Sequence, residues 1–199
     1  MINKLPKIEL HCHLDGSVRV DTIIDIAKKE NIKLESYEKC DVEKLVQVPN
    51  DCTSLNEYLK RFDLANKVMQ SRENIKRVTF ELLEDAQKEN VKYIEVRFAP
   101  LLHLNGGLSI EEVIQSAIDG INEAEKMYDI KGNIILCCMR TMSEDDAILV
   151  VEEGKKFLNK GVVAIDLAGP EEEGFVKKYK KAIELARSYG YNITIHAGE

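Results

Sequence analysis

Two histidines near the start of the chain, His11 and His13, are one residue apart, and a third, His196, lies near its end with an acid, Glu199, three positions on. The first pair sits in Ile8-Glu9-Leu10-His11-Cys12-His13-Leu14-Asp15-Gly16-Ser17, which reads as a short strand broken by the turn-forming Asp15-Gly16-Ser17. Strand side chains alternate faces, so His11 and His13 point one way and Cys12 the other. Two imidazoles on one side of a strand end make half a metal site. By itself the spacing also suits surface or core histidines. What singles it out is Ile193-Thr194-Ile195-His196-Ala197-Gly198-Glu199, a second apolar strand that ends in a histidine and an acid.

Composition bounds what such a site can serve. With 199 residues, 44% of them apolar, the chain can bury a core of its own and reads as one soluble globular domain. A net charge of -7 argues against a nucleic-acid groove or an anionic membrane as partner, since both require a basic face. No apolar run reaches the roughly 18 residues of a membrane span, and Met1-Ile2-Asn3-Lys4-Leu5-Pro6-Lys7 lacks a signal peptide's apolar stretch, so a cytoplasmic protein is expected. The five cysteines follow neither a zinc spacing nor a secreted disulfide pattern and are read as reduced, packed thiols. In the apolar strand holding Cys137-Cys138, one thiol faces each way.

The elements that must position the histidines follow in order. Helical spacing of Ile23, Ile24, Ile26 and Ala27 predicts a helix over 20–30 that Asn31 ends, and a less regular polar passage follows over 33–51. Ser54 with Glu57 reads as a capping box, and Leu55, Tyr58, Leu59 and Phe62 form one apolar face. A further helix over 72–90 turns Ile75, Val78, Thr79, Leu82, Leu83 and Ala86 inward. From Val91 strands and helices alternate: strands over 93–98, 134–139, 162–167 and 193–199, and helices opened by Ser109 with Glu112, by Ser143 with Asp146, and near Gly174. His103, near Asn105-Gly106-Gly107, is read as an exposed loop residue, and Arg97 as one half of an ion pair at the sheet's mouth.

Alternating strand and helix imply an α/β fold with a parallel sheet, either doubly wound or part of a barrel. No glycine-rich phosphate turn follows the first strand, and polar residues gather at strand C-termini, where a TIM (β/α)8-type barrel keeps its active site. About the first five strands of such a barrel are present, in a chain shorter than the ~250 residues a complete one usually takes.

Five stretches in order carry a family resemblance: 9–17, Glu95-Val96-Arg97-Phe98-Ala99-Pro100, Leu136-Cys137-Cys138-Met139-Arg140, Asp166-Leu167-Ala168-Gly169 and His196-Ala197-Gly198-Glu199. Each falls at a predicted strand end. Together they resemble the adenosine deaminase family of the metal-dependent amidohydrolases. The resemblance implies one Zn2+ per chain on His11, His13 and His196, with Glu199 as catalytic proton donor to the purine. Three neutral imidazoles leave a zinc position open for water, whose pKa then falls toward about 7. The resemblance further implies substrate contacts from His13, Asp15, Met139 and Gly169, with Asp15 on the ribose and the Gly169 backbone against the base. It also implies a helical lid over 33–70 in which Leu55, Tyr58, Leu59 and Phe62 cover the nucleoside.

The implied activity is hydrolysis of adenosine, and of 2′-deoxyadenosine, to inosine and ammonia. The family also carries a later histidine and an Asp-Asp pair that do not occur here, so 1–199 is expected to be the N-terminal part of a longer protein and inactive alone. Adenine deaminases, which resemble the chain closely, tend to carry Glu in place of Asp15, which favours the nucleoside. A non-catalytic module with a vestigial metal site is the reading from another class.

Overall fold

The computed structural model describes residues 4–171 and 174–198, apart from the side chains of 175 and 176. Strand β1 (Lys7–His13) is followed by helices α1 (Val20–Lys29), α2 (Lys39–Val46), α3 (Leu55–Leu59), α4 (Asp63–Val68) and α5 (Arg72–Lys88). Strand β2 (Val91–Phe98), helix α6 (Ile110–Met127), strand β3 (Lys131–Met139), helix α7 (Glu144–Gly154) and strand β4 (Val162–Ala168) succeed them. The series closes with α8 (Phe175–Lys178), α9 (Lys180–Tyr189) and β5 (Asn192–Ile193). No helix among the described residues is long and apolar enough to cross a membrane.

All neighbouring strands pair in parallel, in the spatial order β1-β2-β3-β4-β5. A doubly wound sheet reverses direction at a switch point, so its spatial order departs from its sequence order. Sequential order throughout is the arrangement of a (β/α)8-type barrel, and these are five consecutive strands of one.

Pleating divides the side chains between two environments. Outward residues such as Ile94, Val96, Phe98, Ile134, Leu136, Cys138, Ile165 and Leu167 join the large core beneath the helices. Ala99, Cys137 and Ala168 form a separate inner cluster with Leu102 and Met139. The two adjacent thiols thus do face opposite ways, and all five cysteines are free. Glycine lets two covering helices close up, because a Cβ at Gly120 would stand 2.5 Å from the Lys76 carbonyl oxygen on α5. Capping boxes form at Ser109–Glu112 and Ser143–Asp146, as their spacing predicts.

Local expectations fail where tertiary packing decides. The polar passage over 33–51 contains α2, anchored by the fully buried Val42. Ser54 makes no capping bond, and the helix it opens is one short turn that tightens into a 3-10 segment at Lys60–Phe62. The expected helix from Gly174 is broken into α8 and α9. Regular β5 spans two residues, though Thr194 and His196 still donate backbone bonds to the Ile165 and Leu167 carbonyls (2.9 and 3.2 Å). His103 is fully buried rather than exposed: the 3-10 turn Pro100–His103 folds it back so that its ring packs 5.7 Å from that of Phe98.

Burial lowers the His103 pKa from 6.5 to about 4, slightly offset by the Met69 backbone. The unfolded chain therefore takes up this proton near pH 6.5 and the folded protein only near 4, so stability falls across that interval, by about 3 kcal/mol, and levels off below it. His103→Leu should flatten this part of the curve of Tm against pH, leaving the share due to His13, which acts in the same sense, and that due to Asp15, whose pKa burial raises to about 6 and which acts in the opposite sense. An unchanged acid limb in His103→Leu would contradict the assignment.

Candidate metal centre

The β1 terminus delivers two imidazoles to the sheet's C-terminal rim. The Leu14 amide donates to the Arg97 carbonyl of β2 (2.9 Å), and the Ser17 hydroxyl donates to the His13 carbonyl (2.6 Å), which fixes the turn. Gly16 lets Phe62 close over this turn, since a Cβ there would meet the Phe62 ring at 3.0 Å. The Phe62 ring lies 6.0 Å from that of His13 and 5.5 Å from that of Tyr58.

His196 reaches the same point from the far edge of the sheet. Its Nε2 stands 2.9 Å from Nε2 of His11 and 3.0 Å from Nε2 of His13, across sequence separations of 185 and 183 residues. His196 Nε2 carries either one proton or one lone pair, so as a neutral ring it can make a well-formed hydrogen bond to one of the two facing nitrogens but not to both. A shared cation resolves the conflict: bonds of about 2.0–2.1 Å in tetrahedral geometry place ligand nitrogens roughly 3.3 Å apart, close to the spacing here. Burial, then the neighbouring His196 and His11, push the His13 pKa down to about 4, so its lone pair is available at neutral pH. The donor set fits zinc.

A buried network supports His196. Its Nδ1 lies 2.7 Å from Oδ2 of Asp166, with the ring N–H off the carboxylate axis, an offset that the broad χ2 torsion can remove. Arg97 Nη1 donates to the same Oδ2 (2.9 Å) and Nη2 to the Leu10 carbonyl (2.9 Å). Burial raises the Asp166 carboxyl, but His196 and Arg97 more than offset this and leave it below the usual range. Arg140 donates to the Gly169 carbonyl (2.7 Å) and to that of His196.

The rim opens into a cavity of about 660 Å³. Its lining includes His11, His13, His196, Asp15, Met139 and Gly169, together with Tyr58, Leu59 and Phe62. Leu55 does not line it: α3 is too short to carry the whole predicted stripe toward one side. Glu199 lies outside the described residues. Asp15 keeps 10% of its side-chain surface exposed, its buried Oδ1 stands 3.8 Å from His13 Nδ1 and has no hydrogen-bond partner, and desolvation raises its pKa to about 6, partly offset by its own and the Gly16 amides. Gly169 adopts φ +96°, a backbone that suits glycine, and a Cβ there would lie 3.4 Å from the Met139 methyl.

Sequence reasoning expected Arg97 to form an ion pair but did not name its partner. The parity of β4 identifies it, since Asp166 shares the inner face with Ala168 and is the one acid in an apolar run. Cys137, Ala99 and Leu102 also line the cavity, and as ordinary apolar residues they carried no sequence signal.

The family model described as adenosine deaminase matches residues 6–199. An adenosine deaminase of Clostridium botulinum (strain 657 / Type Ba4) is 63% identical over 196 residues, 98% of this chain and 59% of that protein. The chain thus spans about three-fifths of the length of the curated relatives it matches. Among solved structures, an amidohydrolase from Burkholderia ambifaria with bound Zn aligns at a TM-score of 0.87 and 25% identity, covering 100% of this chain and 53% of that one. Arabidopsis ADAL complexed with IMP aligns at 0.84 and 30% identity, covering 99% and 59%.

Because a cation bound only by the native cluster stabilises the fold, zinc should raise the Tm of metal-free protein. His196→Ala removes the nitrogen common to both short contacts and should abolish that rise. A zinc-induced shift that survives His196→Ala would place the ion elsewhere.

Proposed function

Because the chain belongs to the adenosine deaminase family, we propose that its cavity serves the zinc-dependent hydrolytic deamination of adenosine, and of 2′-deoxyadenosine, to inosine and ammonia. The observation that carries this reading is the meeting of three imidazole nitrogens at the rim of a cavity that also holds an unpartnered, buried carboxylate oxygen. His11, His13 and His196 would hold one Zn2+ per chain, and the ion when bound supplies a Lewis-acidic centre that makes water nucleophilic at neutral pH.

The remaining roles belong to the chain's own residues. Asp15 Oδ1 accepts a hydrogen bond from a ribose hydroxyl, which restores to that buried oxygen the partner it lacks. The same acid repels a 5′-phosphate, which favours a nucleoside over a nucleotide. Gly169 lets the base approach its backbone, with Met139 alongside. Tyr58, Leu59 and Phe62, within a helical lid over 33–70, exclude water once substrate is seated. Glu199 is the residue proposed to donate a proton to the purine ring nitrogen, as its family position implies. Five free thiols support a cytoplasmic site of action.

The chain spans 59% of its relative's length and is expected to be inactive alone, so ammonia release from adenosine is tested on the zinc-loaded chain joined to the C-terminal remainder of that relative. Zinc binding by that joined protein without ammonia from adenosine, 2′-deoxyadenosine or adenine would favour a non-catalytic module. Asp15→Ala should lower kcat/KM for adenosine about 10- to 100-fold, mostly through KM, the magnitude of one hydrogen bond to a charged acceptor. An unchanged KM would remove Asp15 from the ribose.

A further inference from the structure

We propose that Asp166, held by Arg97, is the positioning residue that sets the tautomer and aim of His196. This rests on the reading of His196 as a metal ligand. Asp166 meets His196 twice: Oδ2 lies 2.7 Å from ring Nδ1, an ion-pair contact not yet aligned as a hydrogen bond, and Oδ1 accepts from the backbone N–H (3.2 Å). A carboxylate at Nδ1 holds the proton on that nitrogen and leaves the Nε2 lone pair facing the other two rings.

Arg97 makes the arrangement span the sheet. One guanidinium on β2 joins the carbonyl of Leu10, the residue before His11, to Asp166 on β4, which in turn grips His196 beyond β5. The two parts of the cluster are therefore indexed to each other through two side chains, Arg97 and Asp166, in addition to the backbone ladder. Both members are buried, Arg97 at 3% exposure and Asp166 at 0%. Buried ion pairs commonly contribute no more to stability than apolar residues of the same volume would, so fold stability alone does not account for this one. Fixing a ring in one tautomer and direction is something an apolar pair cannot do.

Three measurements on the intact protein decide it. Histidine ¹⁵N correlation spectra of metal-free wild type should show His196 protonated at Nδ1, and protonation at Nε2 overturns the proposal. Zinc affinity, by competition with a chromophoric chelator, should fall about 10- to 100-fold in Asp166→Asn with unchanged stoichiometry, and less in Arg97→Lys. A folded Asp166→Asn whose metal-free Tm drops while its zinc affinity stays within twofold of wild type assigns the pair a purely structural role and also overturns it. Should Asp166→Asn fail to fold, the wild-type spectrum decides alone. If His13→Ala binds zinc as wild type does, the ligand reading fails instead, and the tautomer of His196 still reports on Asp166.

Discussion

The structure depends on one geometric constraint: strands paired in parallel in sequence order carry alternate residues of each strand to one rim. His11 and His13 on β1, Arg97 on β2, Cys137 and Met139 on β3, and Asp166 on β4 all fall on the inner face, and His196 joins them as the ladder continues past β5. A register slip of one residue in any strand would turn its contribution outward into the helix-covered core. The near-continuous apolar outer face, from Ile94 through Leu167, specifies that register.

Charge on the inner face is tolerated because the terminal nitrogens of both arginines are partnered there, although the Nε of Arg97 is not. Arg97 and Asp166 neutralise each other, and Arg140 spends its donors on the carbonyls of Gly169 and His196, so the ends of β4 and β5 are tied from β3. Small neighbours, Ala99 and Ala168, leave room for these side chains. Several buried atoms among the described residues lack a hydrogen-bond partner, including Arg97 Nε and both His103 nitrogens, but Asp15 Oδ1 is the carboxylate oxygen among them and it lies at the cavity. A ligand hydroxyl would complete it.

Much of this was legible in the sequence, for identifiable reasons. Parity placed His11 and His13 together, and capping boxes at Ser109 and Ser143 located two helices, because both signals are local. The buried His103, α2 anchored by Val42, the missing cap at Ser54 and the exclusion of Leu55 from the cavity were not legible, since each depends on what the rest of the chain packs against it. The Asp166 contact lay between: its parity could be read, but its ring partner is 30 residues away, beyond the end of β5.

The shared cation site is tested most directly by zinc K-edge X-ray absorption on the zinc-loaded protein. Three imidazoles at about 2.0–2.1 Å per zinc are expected, with the multiple scattering of histidine rings. Two or fewer rings, or a sulfur shell near 2.3 Å from one of the cavity thiols, would contradict the convergence of His11, His13 and His196 on one ion.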